Sequence, residues 1–128
     1  MLSPSQAFGQ LAETLAEHML RKKGYRIVEK NLRLAGGELD LIAEKQGTLV
    51  FIEVKARRGD QLGGAPYAIT TRKKRQIIKL ALCYLSKHGL TNQQCRFDAI
   101  LVVGTHEHSP QITHIEQAFE VPSSDWQW

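Results

Sequence analysis

The 128 residues contain only two cysteines, Cys83 and Cys95. Two are too few for a disulfide framework, and their spacing matches no zinc signature. No apolar run approaches the ~18 residues of a membrane span. The opening Met1-Leu2-Ser3-Pro4 lacks the charged and apolar regions of a secretory signal. The expectation is a reduced, cytoplasmic chain with no membrane partner. Charged residues make up only 23% against 42% apolar, which argues against disorder. Internal repeats and low-complexity segments are absent. Acids are nearly missing from the middle of the chain: from Lys55 to His88 there are nine bases and one acid, Asp60, although the whole chain carries only +4. Such a segment repels itself unless an anion lies close by, and polyphosphate is the common biological one. A solvated helix face is the plainer reading of the same run.

The length fits one domain, read as residues 1–121 followed by a loose tail, 122–128. Ser3 as N-cap with Pro4 in the first turn opens a helix. Its apolar stripe runs through Phe8, Leu11, Ala12, Leu15, Ala16, Met19 and Leu20, and Lys23-Gly24 ends it. Glu17 points away from this stripe, whereas Glu13 lies on its flank and can lean towards whatever the stripe packs against. Tyr25 to Leu34, Glu38 to Lys45 and Thr48 to Arg57 read as strands, the last apolar on both faces as in a covered central strand. The stretch from Arg58 to Pro66 reads as a mobile loop. A second helix spans Thr70 to His88, followed by a strand from Phe97 to Val103 and a weaker one from Ile112 to Phe119. Strands that cluster and then alternate with a helix predict an α/β domain with a mixed sheet and helices in the outer layers.

The two-residue link Gln46-Gly47 makes an antiparallel hairpin with Lys45 facing Thr48. That register sets Asp40 opposite Glu53 and Glu38 opposite Lys55. Side-chain alternation then gathers all four on one patch. Carboxylates placed so closely repel. One must be protonated, or a base must sit between them, or a cation must bind. Mg²⁺, which takes one or two carboxylates plus water and phosphate oxygens, suits the place. The alternative is that Lys55 neutralises the pair as a structural ion cluster. Near the start of the second helix, Arg72, Lys73, Lys74 and Arg75 oppose the helix dipole, a cost that a docked phosphate relieves.

Asp40, then Glu53-Val54-Lys55, with Glu13 on a preceding helix, resembles the PD-(D/E)XK nuclease superfamily. More closely, the chain resembles the YraN family of bacterial proteins, relatives of the archaeal Holliday-junction resolvases. The likeness covers roughly residues 9 to 103. Besides those acids and Lys55 it rests on Gly24-Tyr25, Asn31-x-Arg33, Gly37-Glu38-x-Asp40, Arg57, Lys73 ahead of Ala81-x-x-Tyr84-Leu85, and Arg96-Phe97-Asp98. It implies a restriction-endonuclease-like three-layer fold and a metal-dependent endonuclease acting on branched or structured DNA with Mg²⁺ or Mn²⁺. Asp40, Glu53 and Glu13 would be the metal-binding acids, and Lys55 the lysine that orients the attacking water. Leu39 stands where the superfamily pattern often has proline. Resolvases need two active sites on one junction, which implies a homodimer. Arg57, Arg58 and the bases from Arg72 to Arg75 would grip flanking phosphates, with Glu38, Arg33 and Arg96 as secondary candidates.

Other features point nowhere. His106, His108 and His114 read as exposed, Cys83 as packing, and Cys95 as lacking a partner. Trp126 and Trp128 could stack on bases but read more simply as a docked or disordered tail. The rival functions are a nucleic-acid-binding module without catalysis and a basic module for an acidic protein partner.

Overall fold

The computed structural model describes residues 1–34, 36–58, 69–104 and 109–122. The Gly59–Gly64 stretch, His106, His108, Trp126 and Trp128 lie outside the described residues. Helix α1 (Pro4–Lys22) opens on the expected cap: Ser3 Oγ accepts the Gln6 N–H, and the Gln6 side chain accepts the Ser3 N–H in return. A cap of this kind contributes about 1 kcal/mol. The helix buries Ala12, Ala16 and Leu20, one residue per turn, and Gly24 leaves it at φ +91°.

Strands β1 (Arg26–Leu34), β2 (Gly37–Lys45) and β3 (Thr48–Arg58) form an antiparallel meander. The β2–β3 turn has positive φ at both central residues, 52° at Gln46 and 82° at Gly47. This is the twist a two-residue hairpin needs, with glutamine tolerating the less comfortable position. Lys45 faces Thr48 as the sequence predicts. Helix α2 (Thr71–Lys87), capped by Thr70, carries the chain across to β4 (Cys95–Gly104), which lies parallel to β3. Strand β5 (Gln111–Ile115) pairs antiparallel with β4. It is shorter than predicted, because the chain turns at Gln117, φ 51°, before delivering Phe119 to the core.

The sheet order is β1-β2-β3-β4-β5. Ala12, Ala16 and Leu20 of α1 pack on one face with Leu41, Val50, Ile52, Ile100 and Val102. Ile77, Leu80, Ala81 and Leu85 of α2 cover the other with Leu39, Ile42, Phe51 and Phe97. The result is the three-layer, restriction-endonuclease-like α/β arrangement expected. None of the helices is long and apolar enough to cross a membrane, among the described residues.

Candidate active site

The β2–β3 ladder runs from Lys45–Thr48 to Leu41–Ile52, and the next two positions are Asp40 and Glu53. There Asp40 turns its carboxylate sideways, and Oδ2 accepts the Val54 N–H at 2.8 Å. The strand changes face at this residue. Leu41 belongs to the core under α1 and Leu39 to the core under α2, whereas regular alternation would put both on one side. The change is matched on β1, where Lys30 pairs with Leu41 and Leu32 with Leu39. Lys30 reaches Glu17 on α1, Leu32 packs under α2, and Asn31 between them adopts φ 51°. This corrects the simple hairpin reading. Glu38 is not a ladder partner of Lys55, because the β2–β3 pairing stops at Leu41–Ile52; it pairs on the β1 side with Arg33, with an ion pair of 3.8 Å.

The acids brought together at this opening shift in one direction. Burial pushes Glu53 up to about 7, the Asp40 charge adds to that, and Lys73 and Lys55 pull it back only partly. Burial likewise raises Asp40 against the Val54 N–H and the Lys73 charge. Glu13, half-buried on α1, is raised by burial and by the charges of Asp40 and Glu38, while a hydrogen bond from Asn31 opposes the rise. Lys55 is lowered by burial first and by Arg57 next, with Glu53 acting the other way. Burial is the leading cause at each of the three carboxyls, and the Asp40 charge links Glu13 on one side with Glu53 on the other.

Glu53 shows the deficit at atomic level. Its side chain is 12% exposed, and Oε2 is buried without a hydrogen-bond partner. Lys73 Nζ stands 3.6 Å away, beyond hydrogen-bond reach. An all-oxygen donor set of this kind fits a hard divalent ion such as Mg²⁺ or Mn²⁺. Among the described residues no three His, Cys, Asp or Glu side chains form a ready metal cage. Glu13 therefore adds its charge to the Asp40–Glu53 pair without completing a three-carboxylate cage.

The basic residues of α2 and β3 take separate positions. Helix α2 has no acid in its first turn. Arg72 and Arg75 are exposed, Lys74 lies over the Phe119 ring at 5.8 Å, and Arg57 and Arg58 end β3. Lys73 instead turns inward to Glu53 and bonds Gln76 Oε1 at 3.3 Å. A cleft of about 590 Å³ runs past Arg33, Glu38, Lys73 and Gln76. A smaller one, about 240 Å³, opens on the α1 side between Glu13 and Asp40. Gly37 leaves room here: a Cβ would come within 2.7 Å of the Gln76 amide, so the Gln76 side chain would have to shift. Sequence reasoning counts Lys73 among the phosphate-gripping bases and misses both its pairing with Glu53 and its Gln76 partner. The only linear trace of the latter is the Lys73-x-x-Gln76 spacing, which puts both side chains on one helix face.

Arg96 is placed elsewhere. It forks onto Asp98 at 2.8 and 2.9 Å and donates to Tyr25 Oη at 2.7 Å. Asp98 is 1% exposed and also accepts the Gln117 N–H and, at 2.7 Å, His114 Nε2–H. Lys23 Nζ sits 2.6 Å from His114 Nδ1. The His114 side chain is therefore covered, at 3% exposed, rather than open to solvent, because alternation along β5 turns it inward onto this aspartate. Lys23 is ten residues beyond Glu13, about 15 Å along the helix rise, so the network braces the far end of the α1 layer. Cys83 is exposed rather than packed, and Cys95 Sγ donates to Gln93 O at 3.3 Å.

A family model described as "Uncharacterised protein family UPF0102" matches residues 12–102. A "UPF0102 protein" of Trichlorobacter lovleyi is 44% identical over 118 residues, covering 91% of this chain and 93% of the relative. One of Hahella chejuensis is 47% identical over 111 residues, covering 87% and 88%. Another, of Geobacter sulfurreducens, is 40% identical over 117 residues, covering 91% of each.

Proposed function

The chain belongs to the uncharacterised protein family UPF0102, and from that premise we propose that it is a divalent-cation-dependent endonuclease acting on branched or structured DNA. The observation that carries this reading is the buried, hydrogen-bond-free Glu53 Oε2 beside Asp40, at the point where β2 and β3 part. Asp40 and Glu53 would hold Mg²⁺ or Mn²⁺, with Glu13 adding negative charge from α1. A bound cation supplies Lewis acidity to a phosphoryl oxygen and acidifies an attacking water. Lys55, two residues beyond Glu53 on β3, would orient the attacking water and offset negative charge developing on the phosphoryl group. Arg57, Arg58, Arg72, Lys74 and Arg75 hold the flanking phosphates, and the first-turn N–H groups of α2 add their dipole. Cutting a junction symmetrically takes two such sites, so the reading includes a homodimer on DNA in the cytoplasm.

The test is cleavage of branched, flapped and linear DNA with and without Mn²⁺ by the parent, Asp40→Asn and Lys55→Ala. Metal-dependent nicking that both variants lose, with melting unchanged, supports the reading. Equal cutting by all three proteins overturns it. One observation favours the rival reading of binding without catalysis: Lys73 already faces Glu53 as a counter-charge. Under that reading all three proteins bind DNA equally and none cuts.

A further inference from the structure

Glu53 Oε2 makes no hydrogen bond, yet a full positive charge stands 3.6 Å from it. That spacing is too long for a hydrogen bond and short enough for strong Coulombic attraction at a poorly hydrated site. The ammonium is not left to wander: Nζ also bonds Gln76 Oε1, one turn along α2 at 3.3 Å. Gln76 in turn occupies the space that the missing Cβ of Gly37 leaves open. A glycine on β2 and a glutamine on α2 thus set a lysine from α2 against an acid on β3. This arrangement differs from that of Arg72 and Arg75 in the same turn, which face solvent.

We propose that Lys73 is a built-in stand-in for the divalent cation, occupying the place beside Glu53 Oε2 until the cation arrives and then turning into the Arg33–Gln76 cleft to meet a phosphate. The inference rests on the endonuclease reading above and deepens it by giving the cation seat a resident competitor. Two positive charges cannot share so confined a seat cheaply. A divalent ion binding there must displace the ammonium or sit against its repulsion, and the cleft gives the displaced group an anion to meet. Cation uptake and phosphate binding are then coupled through one side chain, so the site is fully charged only when DNA is present. Lys73 acts through Glu53 and is a positioning residue.

The test is titration calorimetry with Mn²⁺ alone on the parent, Lys73→Met and Lys87→Met. Lys87 lies in the last turn of α2, so the two variants lose the same charge at opposite ends of one helix. Lys73→Met is expected to bind Mn²⁺ at least tenfold more tightly than the parent, and Lys87→Met to stay within twofold. Thermal melting in chelator and in Mn²⁺ gives a second readout, with Lys73→Met less stable than the parent in chelator and gaining more from Mn²⁺. Crystals soaked in Mn²⁺ should show Lys73 Nζ turned away from Glu53. Parent binding that Lys73→Met fails to tighten, or that both variants tighten equally, overturns the inference while leaving the cation seat standing. An Nζ still paired with Glu53 beside a bound ion overturns it too. No uptake by the parent or Lys73→Met removes the seat itself, and both readings fall together.

Discussion

Asp40 Oδ2 accepts the Val54 N–H across the opening of the hairpin, at 2.8 Å, where the β2–β3 ladder has just ended. A side chain takes over a backbone group at the place where two strands separate. The bond commits one carboxylate oxygen to structure and fixes where the carboxylate stands beside Glu53. Position and charge can therefore be separated by substitution.

Asp40→Asn keeps a carbonyl oxygen for the Val54 N–H and removes the charge. Its stability should match the parent within about 1 kcal/mol, while Mn²⁺ uptake by calorimetry is lost. Asp40→Ala orphans the N–H as well and should cost about 1–3 kcal/mol in urea melts.

Glu53 gives a pH signature in the cation-free protein. Its folded pKa, about 7, lies above the ordinary value of 4.5, so the folded state holds the proton more tightly than the unfolded state does. The stability linked to this group is present at low pH and is lost as pH rises through about 7. In chelator, Glu53→Gln should therefore gain on the parent as pH rises from about 5 to about 8. A difference in melting temperature that stays flat across that range would contradict the assignment.

Asp98 behaves in the opposite sense. Burial alone would raise its carboxyl, but hydrogen bonds from His114, Arg96 and the Gln117 N–H outweigh burial and hold it below the ordinary value. Its contribution is intact above pH about 4 and lost as pH falls through the lowered folded value. Asp98→Ala strands the Arg96 guanidinium and should cost about 3–5 kcal/mol. Chemical denaturation at neutral pH measures this, and the deficit should narrow in acid.

Arg72 and Arg75, exposed in the first turn of α2, should contribute to DNA binding through counterion release. Replacing both with alanine should weaken binding at low salt and flatten the slope of log affinity against log salt by roughly 0.9 for each phosphate no longer neutralised. An unchanged slope would place the DNA on another face.

Gly37→Ala tests the support behind Lys73. The backbone at Gly37 is not in the left-handed region, so the fold tolerates alanine, but the new methyl meets Gln76. Melting should shift little, while metal-dependent DNA cleavage falls as Lys73 loses its partner.

Much of this is legible in the linear chain. Gln46-Gly47 announces the turn, the turn sets the register, and the register brings Asp40 level with Glu53. Asn31 and Asp40 carry no comparable signal of the face change. That change depends on a left-handed backbone at Asn31 in β1 and on an aspartate outcompeting a ladder bond, which are outcomes of pairing rather than pattern. Lys73 is visible as a base, but its pairing with Glu53 depends on how α2 docks. His114 reads wrongly as exposed because its aspartate lies sixteen positions away on a neighbouring strand.

The tight Gln46-Gly47 turn also restricts how the gene could change length. Asp40 and Glu53 are tied through the hairpin arms, so a one-codon insertion in either arm would swing one acid to the opposite side of the sheet unless a bulge absorbed it. Additions made in matched pairs, one to each arm, would keep the register but move the turn outward. Tolerance of paired insertions and intolerance of single ones is the mutational fingerprint this hairpin should leave.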